Sequence, residues 1–175
     1  MLIKQEKLRQ YANKLLSFLR VRRGAVGVEI SDTSIRLSFF DGRAWRFGGI
    51  RLEPGVMDGG RIKDYEKLVA ALKEAKSKIF GNSKSRGRIN AVVALGSTGV
   101  YGQVFKLPAA EGKGLEDAIQ LNLQMVSPTD ISKVYSGWQF VGRKDGSSDV
   151  EILSAFMDRE IVEDLSRAVF DAGFL

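Results

Sequence analysis

The strongest constraint on the fold is a change of hydrophobic period at residue 26, from a helical to an extended pattern. Apolar side chains occupy every second position of Val26–Ile30 and Ile35–Phe40, which are joined by the polar turn Ser31–Ser34. This alternation is typical of half-buried strands. Asp41-Gly42 then predicts a tight hairpin, because both residues tolerate the positive φ angles of a primed turn. Ala44–Leu52 follows as a third strand, so the sequence predicts a three-stranded antiparallel meander.

Beyond the meander, helical and extended patterns alternate along the chain. Amphipathic helices are predicted over 65–79, 115–126 and 161–172, and strands over 91–95, 100–107, 135–142 and 150–157. Strands that come in pairs, with helices between the pairs, predict an α+β fold with mostly antiparallel pairing. We therefore expect 91–95 to pair with 100–107. The apolar Phe174-Leu175, just past a helix, favours a longer protein in which another strand follows.

The chain contains neither cysteine nor histidine. This composition excludes thiol nucleophiles, disulfides, Cys/His metal sites and every catalytic triad that needs a histidine. We predict no catalytic residue and no metal site. No apolar run approaches the roughly 20 residues of a membrane-spanning helix.

The net charge of +6 lies in the first 23 residues. They carry seven basic side chains and one acidic side chain, whereas the rest of the chain carries 20 of each. A neutral body with a basic tip lacks the charged folded face that meets phosphates in a nucleic-acid-binding domain. We therefore predict no nucleic-acid partner.

Within this basic tail, apolar residues recur at helical spacing. The stripe consists of Leu8, Tyr11, Leu15, Phe18 and Leu19. Such a segment can lie on an anionic membrane surface, or it can pack its stripe on the protein's own body or on a partner. The candidate membrane or partner contacts are Lys4, Lys7, Arg9, Lys14, Phe18, Leu19, Arg20, Arg22 and Arg23.

The segment Gly27–Leu37 is the stretch best suited to bind a ligand. A tight turn between strands can present several backbone N–H groups to an anion, and hard cations such as Mg²⁺ prefer carboxylate and water. The candidate nucleotide-binding residues are Glu29, Ser31, Asp32, Thr33, Ser34 and Arg36. The alternative is an ordinary hairpin, since Ser, Asp and Thr are common turn residues. Glu151, Asp158 and Glu160, on or near a strand end, have no recognisable partner geometry in the sequence.

Gly27–Leu37 also resembles the first phosphate loop of actin-like ATPases, and the features that follow resemble the PilM group, which is related to the division protein FtsA. The matching features are Leu52–Val56, Asp58–Asp64 before a helix, Val92–Ser97, Val104–Pro108, the Trp138-Gln139 strand and the closing helix at Asp171–Gly173. Their order covers nearly all of residues 15–175.

The resemblance implies an actin-like, ribonuclease H-like fold divided into three parts. Residues 1–23 would form a basic amphipathic helix, residues 24–64 part of subdomain 1A, and residues 65–175 an inserted subdomain 1C of the FtsA/PilM type. The C-terminal half of the family fold would be absent. A scaffold of type IV pilus or related secretion machinery is implied, cytoplasmic and peripheral to the bacterial inner membrane. Its 1A/1C groove would bind a cytoplasmic peptide of a PilN-like inner-membrane protein, and the chain could also self-associate.

The resemblance also implies a site for ATP with Mg²⁺ in the full-length protein, although none is expected for residues 1–175 alone. Three residues depart from the family pattern: Glu29 replaces aspartate, Ser31 replaces glycine and Arg36 replaces lysine. A Cβ at Ser31 obstructs the close backbone approach that glycine permits, and arginine changes the geometry of the cation. These departures favour a binding scaffold. The alternatives are a nucleotide-binding actin-like ATPase and an FtsA-like division protein.

Overall fold

The structure is a computed structural model that describes residues 25–84, 87–108, 113–143 and 149–175. The predicted contacts of the tail, from Lys4 to Arg23, lie outside these residues. No helix in the described ranges is long and apolar enough to cross a membrane.

The described residues form nine strands, three α-helices and one short 3₁₀-helix. In chain order they are β1 (Val26–Ile30), β2 (Ser34–Phe40), β3 (Trp45–Arg51), β4 (Met57–Asp58), β5 (Arg61–Ile62), α1 (Tyr65–Lys84), β6 (Ala91–Leu95), β7 (Val100–Leu107), α2 (Lys113–Val126), the 3₁₀-helix Ile131–Lys133, β8 (Val134–Arg143), β9 (Val150–Asp158) and α3 (Arg159–Asp171). The predicted α+β class and the positions of the main elements are confirmed.

The first sheet has the strand order β3-β2-β1-β6. β2 pairs antiparallel with both β1 and β3, which confirms the predicted meander. The hairpin between β2 and β3 differs in detail from the prediction. Only Gly42 adopts a positive φ, of 95°, whereas Asp41 accepts hydrogen bonds from the Ala44 and Arg43 N–H groups. These two bonds, helped by the Arg46 guanidinium, lower the pKa of the Asp41 carboxyl to about 2.

One face of this sheet forms the main core with α1 and α3. Apolar side chains of β1 and β2 point into it, and Leu68, Leu72 and Ala75 of α1 are completely buried there. Gly48 lets α1 approach β3, because a Cβ at this position would lie 2.8 Å from Cγ1 of Ile79.

The second unit is an antiparallel sheet of order β7-β9-β8. Helix α2 packs on one face of it, and Ile119 and Leu123 of α2 share a core with Ile152 and Phe156 of β9. The predicted pairing of 91–95 with 100–107 is therefore wrong. β6 pairs parallel with β1, and β7 pairs antiparallel with β9.

The described residues pack into two units, and the division of the family fold into the ranges 24–64 and 65–175 stays a prediction. Helices α1 and α3 share one core with β1 and β2, and β6 joins their sheet. The second unit runs from β7 to β9. Residues 173–175 return to the first sheet, where Phe174 forms a parallel bridge with Ile89. The names 1A and 1C for these units remain a prediction.

Candidate functional site

A cleft of about 690 Å³ lies where the two packing units meet. Ligand-binding clefts have volumes of roughly 300–1,000 Å³, so this one is large enough to hold a ligand. Both units contribute to its walls. The lining residues are Gly59, Arg61, Gly99, Tyr101, Pro128, Thr129, Ser132, Lys133, Val134, Phe156, Asp158, Arg159, Glu160, Ile161 and Glu163.

Arg61 joins the β4–β5 hairpin to the start of α3 on one wall of the cleft. Its guanidinium donates to Asp158 at 2.6 Å and to Glu160 at 3.5 Å. Asp158 is also the N-cap of α3, because its carboxylate accepts from the Glu160 N–H. The pKa of the Asp158 carboxyl lies below its usual range, mainly because of the hydrogen bond from Arg61 and secondarily because of the hydrogen bond from the Glu160 N–H. Asp158 in turn raises the pKa of Arg61.

The Arg61–Asp158 pair predicts a pH dependence of stability. The pKa of Asp158 is lower in the folded protein than its ordinary value of 3.8. The ion pair therefore stabilises the folded protein fully at pH values above 3.8. The contribution is lost as pH falls through the lowered pKa. D158N keeps an N-cap side chain but loses the charge.

We therefore expect urea unfolding to show wild type more stable than D158N at about pH 6, with the difference shrinking towards about pH 2. A difference that stays constant over this range would contradict the assigned role of the ion pair.

Arg159 positions the opposite wall of the cleft. Its Nε donates to the Ser132 carbonyl at 2.9 Å, and its guanidinium lies 4.3 Å from the centre of the Tyr135 ring. The 3₁₀-helix that carries Lys133 is thereby attached to α3. Between the two walls, the half-exposed Tyr101 lies with its ring centre 6.2 Å from that of Phe156. The cleft thus combines an aromatic floor with walls that carry charges of both signs.

The candidate nucleotide-binding residues lie together at the turn between β1 and β2, where several of them bind one another. Arg36 forms an ion pair with Glu29 at 3.2 Å. Ser31 Oγ lies 3.0 Å from Ser34 Oγ and accepts from the Ser34 N–H. Thr33 is exposed, and its carbonyl accepts from the Leu52 N–H. A phosphate or Mg²⁺ bound at this turn would exchange these contacts for its own. Nucleotide binding remains a prediction.

Asp32 links this turn to the cleft. Its carboxylate accepts from the N–H groups of Gly59 and Gly60, at 3.0 and 2.9 Å. Gly60 has a φ of 76°, and a Cβ there would lie 2.9 Å from the Thr98 carbonyl oxygen. Only glycine therefore fits between the β4–β5 hairpin and the β6–β7 link. Asp32 supports one edge of the cleft.

Two solved structures are similar to this arrangement. A chain of the PilM–PilN type IV pilus biogenesis complex is similar over 88% of this chain and 46% of its own length, with 20% identity and a TM-score of 0.69. The fold is PilM-like. A second similar structure is the cytoplasmic domain of EpsL, an inner-membrane component of the type II secretion system of Vibrio cholerae, with 12% identity and a TM-score of 0.51. It matches over 85% of this chain and 53% of its own length.

The chain thus spans about half the length of both structures. No protein-family model matches the sequence, and no curated protein matches it. At these identities, the likeness shows the fold alone.

Proposed function

We propose that this chain is part of a cytoplasmic scaffold of a type IV pilus or related secretion machine, peripheral to the bacterial inner membrane. Its cleft would dock a short cytoplasmic peptide of a PilN-like inner-membrane protein. The main support is the position of the cleft, which lies between the two packing units of a PilM-like fold.

The chemistry of the cleft suits an extended peptide. The half-exposed Tyr101, whose ring packs on the buried ring of Phe156, supplies an aromatic floor for an apolar side chain. Aromatic residues in pockets are common binding hot spots. Gly59 and Gly99 at the rim carry no side chain to obstruct a backbone. Lys133 on one wall and Glu160 on the other can meet a peptide that carries both an acidic and a basic side chain.

A titration with the cytoplasmic peptide of the PilN-like protein from the same organism tests this proposal. We expect saturable binding by the full chain, and an affinity at least about tenfold weaker for Tyr101→Ala, since truncation of an aromatic hot spot costs more than about 1.4 kcal/mol. Fluorescence anisotropy of the labelled peptide provides the measurement.

Trp138→Ala is the matched control, because Trp138 lies on the same sheet with similar exposure, 42% against 45% for Tyr101, and does not line the cleft. It should bind like wild type. No binding by the wild-type chain, or equal weakening by both variants, would refute docking at the cleft.

A nucleotide-binding ATPase is the second candidate, supported by the resemblance of the β1–β2 turn to a phosphate loop. Glu29 and Arg36, the carboxylate and the cation that a Mg-nucleotide would use, form an exposed ion pair with each other. Calorimetry with Mg-ATP distinguishes the two. Heat of binding that disappears in Arg36→Ala would favour the ATPase.

A further inference from the structure

The first sheet has an open face that carries three exposed aromatic side chains. Phe40, Trp45 and Phe47 are 46%, 60% and 76% exposed. Trp45 contacts both of the others, with ring centres 5.4 Å from Phe40 and 6.2 Å from Phe47. Val92 of β6, also exposed, lies on the same face three strands from β3, with Ser38 and Gly27 between it and Phe47. A contiguous exposed apolar surface such as that of the three rings often marks a binding surface. These four side chains are called the aromatic face.

The aromatic face lies at the end of the sheet where the chain enters β1. Gly27 pairs with Ser38, and Phe40 pairs with Trp45. Continuing the register of β1 and β2 by two residues places Ala25 beside Phe40. The Glu29–Arg36 ion pair occupies the other end of the same face. The segment that precedes Ala25 therefore emerges directly next to the aromatic face.

That segment contains the apolar stripe of the basic tail. As a helix, the stripe from Leu8 to Leu19 would be about 17 Å long. This matches the five- to seven-residue strands of the sheet, which span about 17–23 Å. Residues 20–24 can extend over about 17 Å and allow the chain to reverse direction, with Gly24 next to the entry into β1.

We propose that the apolar stripe of residues 8–19 packs on the aromatic face, so that the tail is held on its own body with its cations facing outward. Position favours this occupant over a membrane, because the tail enters β1 directly beside the aromatic face. Glu29, Arg36 and Arg51 also lie on that face and give it one positive charge in excess. Apolar contact, and not charge, would therefore hold the stripe there. The proposal is independent of peptide docking at the cleft.

Trp45 reports on this contact in the full chain. The sequence has two tryptophans, so Trp138→Phe leaves Trp45 as the single emitter. We expect Trp45 to be shielded from acrylamide, and Leu15→Asp with Phe18→Asp to shift its emission to the red and increase its quenching. Asn13→Asp with Ser17→Asp adds the same charges on the opposite side of the tail helix and should leave the emission unchanged. Equal quenching of Trp45 in all three proteins would overturn the proposal.

Cross-linking identifies the occupant, since the chain has no native cysteine. A short bis-maleimide should link Phe18→Cys to Val92→Cys within one chain. It should not link Phe18→Cys to Leu153→Cys, an exposed position on the other sheet. Links found only between two chains would overturn the proposal in favour of a dimer. Shielding of Trp45 found only with phosphatidylglycerol vesicles would overturn it in favour of a membrane contact.

Discussion

Leu72→Ala is expected to lower the free energy of unfolding by about 3–5 kcal/mol, because truncating a fully buried leucine removes its transfer free energy and leaves a cavity. Leu72 has no exposed surface and lies in the core that the first sheet forms with α1 and α3. Domains of this size are stable by about 5–15 kcal/mol in total, so the variant should be close to unfolding at 37 °C.

Urea unfolding measured by circular dichroism checks this expectation. Leu121→Ala is the control, because Leu121 lies on α2 with 58% of its surface exposed, and it should change stability by no more than about 0.5 kcal/mol. A similar loss in the two variants would mean that α1 does not form the core described here.

Lys76→Ala is expected to lower the free energy of unfolding by about 2–4 kcal/mol, because it removes two hydrogen bonds that a charged ammonium group donates. Lys76 is only 3% exposed. Its ammonium donates to the carbonyls of Gly87 and Gly173, both at 2.7 Å, and lies 5.2 Å from the centre of the Phe174 ring. Burial, and secondarily the charge of Arg88, lowers the pKa of Lys76. The lysine thus holds the end of α3 against the segment that precedes β6.

Two variants make this expectation specific. Lys76→Met keeps an apolar stem but removes the donors, so it should also destabilise the folded protein. It should accelerate amide exchange at Ile89 and Leu175, because their hydrogen bonds lie beside the lysine. Lys78→Ala breaks only an exposed pair with Glu74 and should change stability by about 0.5 kcal/mol or less. If Lys76→Met were as stable as Lys78→Ala, the two carbonyl contacts would not contribute as described.

Local features of the fold could be predicted from the sequence. The strands β1 and β2 and the helix α1 follow from hydrophobic period, which reports which side of an element is buried. The sequence predicts the position of the Asp41-Gly42 hairpin correctly. It does not predict the geometry of the hairpin, because the Asp41 side chain replaces a backbone acceptor.

Contacts between distant residues could not be predicted in the same way. β6 pairs with β1, more than 60 residues earlier in the chain, and not with its sequence neighbour β7. Arg61 and Asp158 are 97 positions apart, so no spacing in the sequence indicates that they form one wall of a cleft. Lys76 has the helical position of a core residue, yet the sequence does not show the carbonyls that make its burial tolerable.

Docking of a membrane partner's peptide in the cleft between the two packing units is tested most directly by hydrogen exchange of the full chain, with and without a saturating concentration of the PilN-like peptide. We expect the peptide to slow exchange around the cleft, at residues 99–102, 131–134 and 158–161. Unchanged exchange at these residues, or protection confined to the turn between β1 and β2, would contradict it.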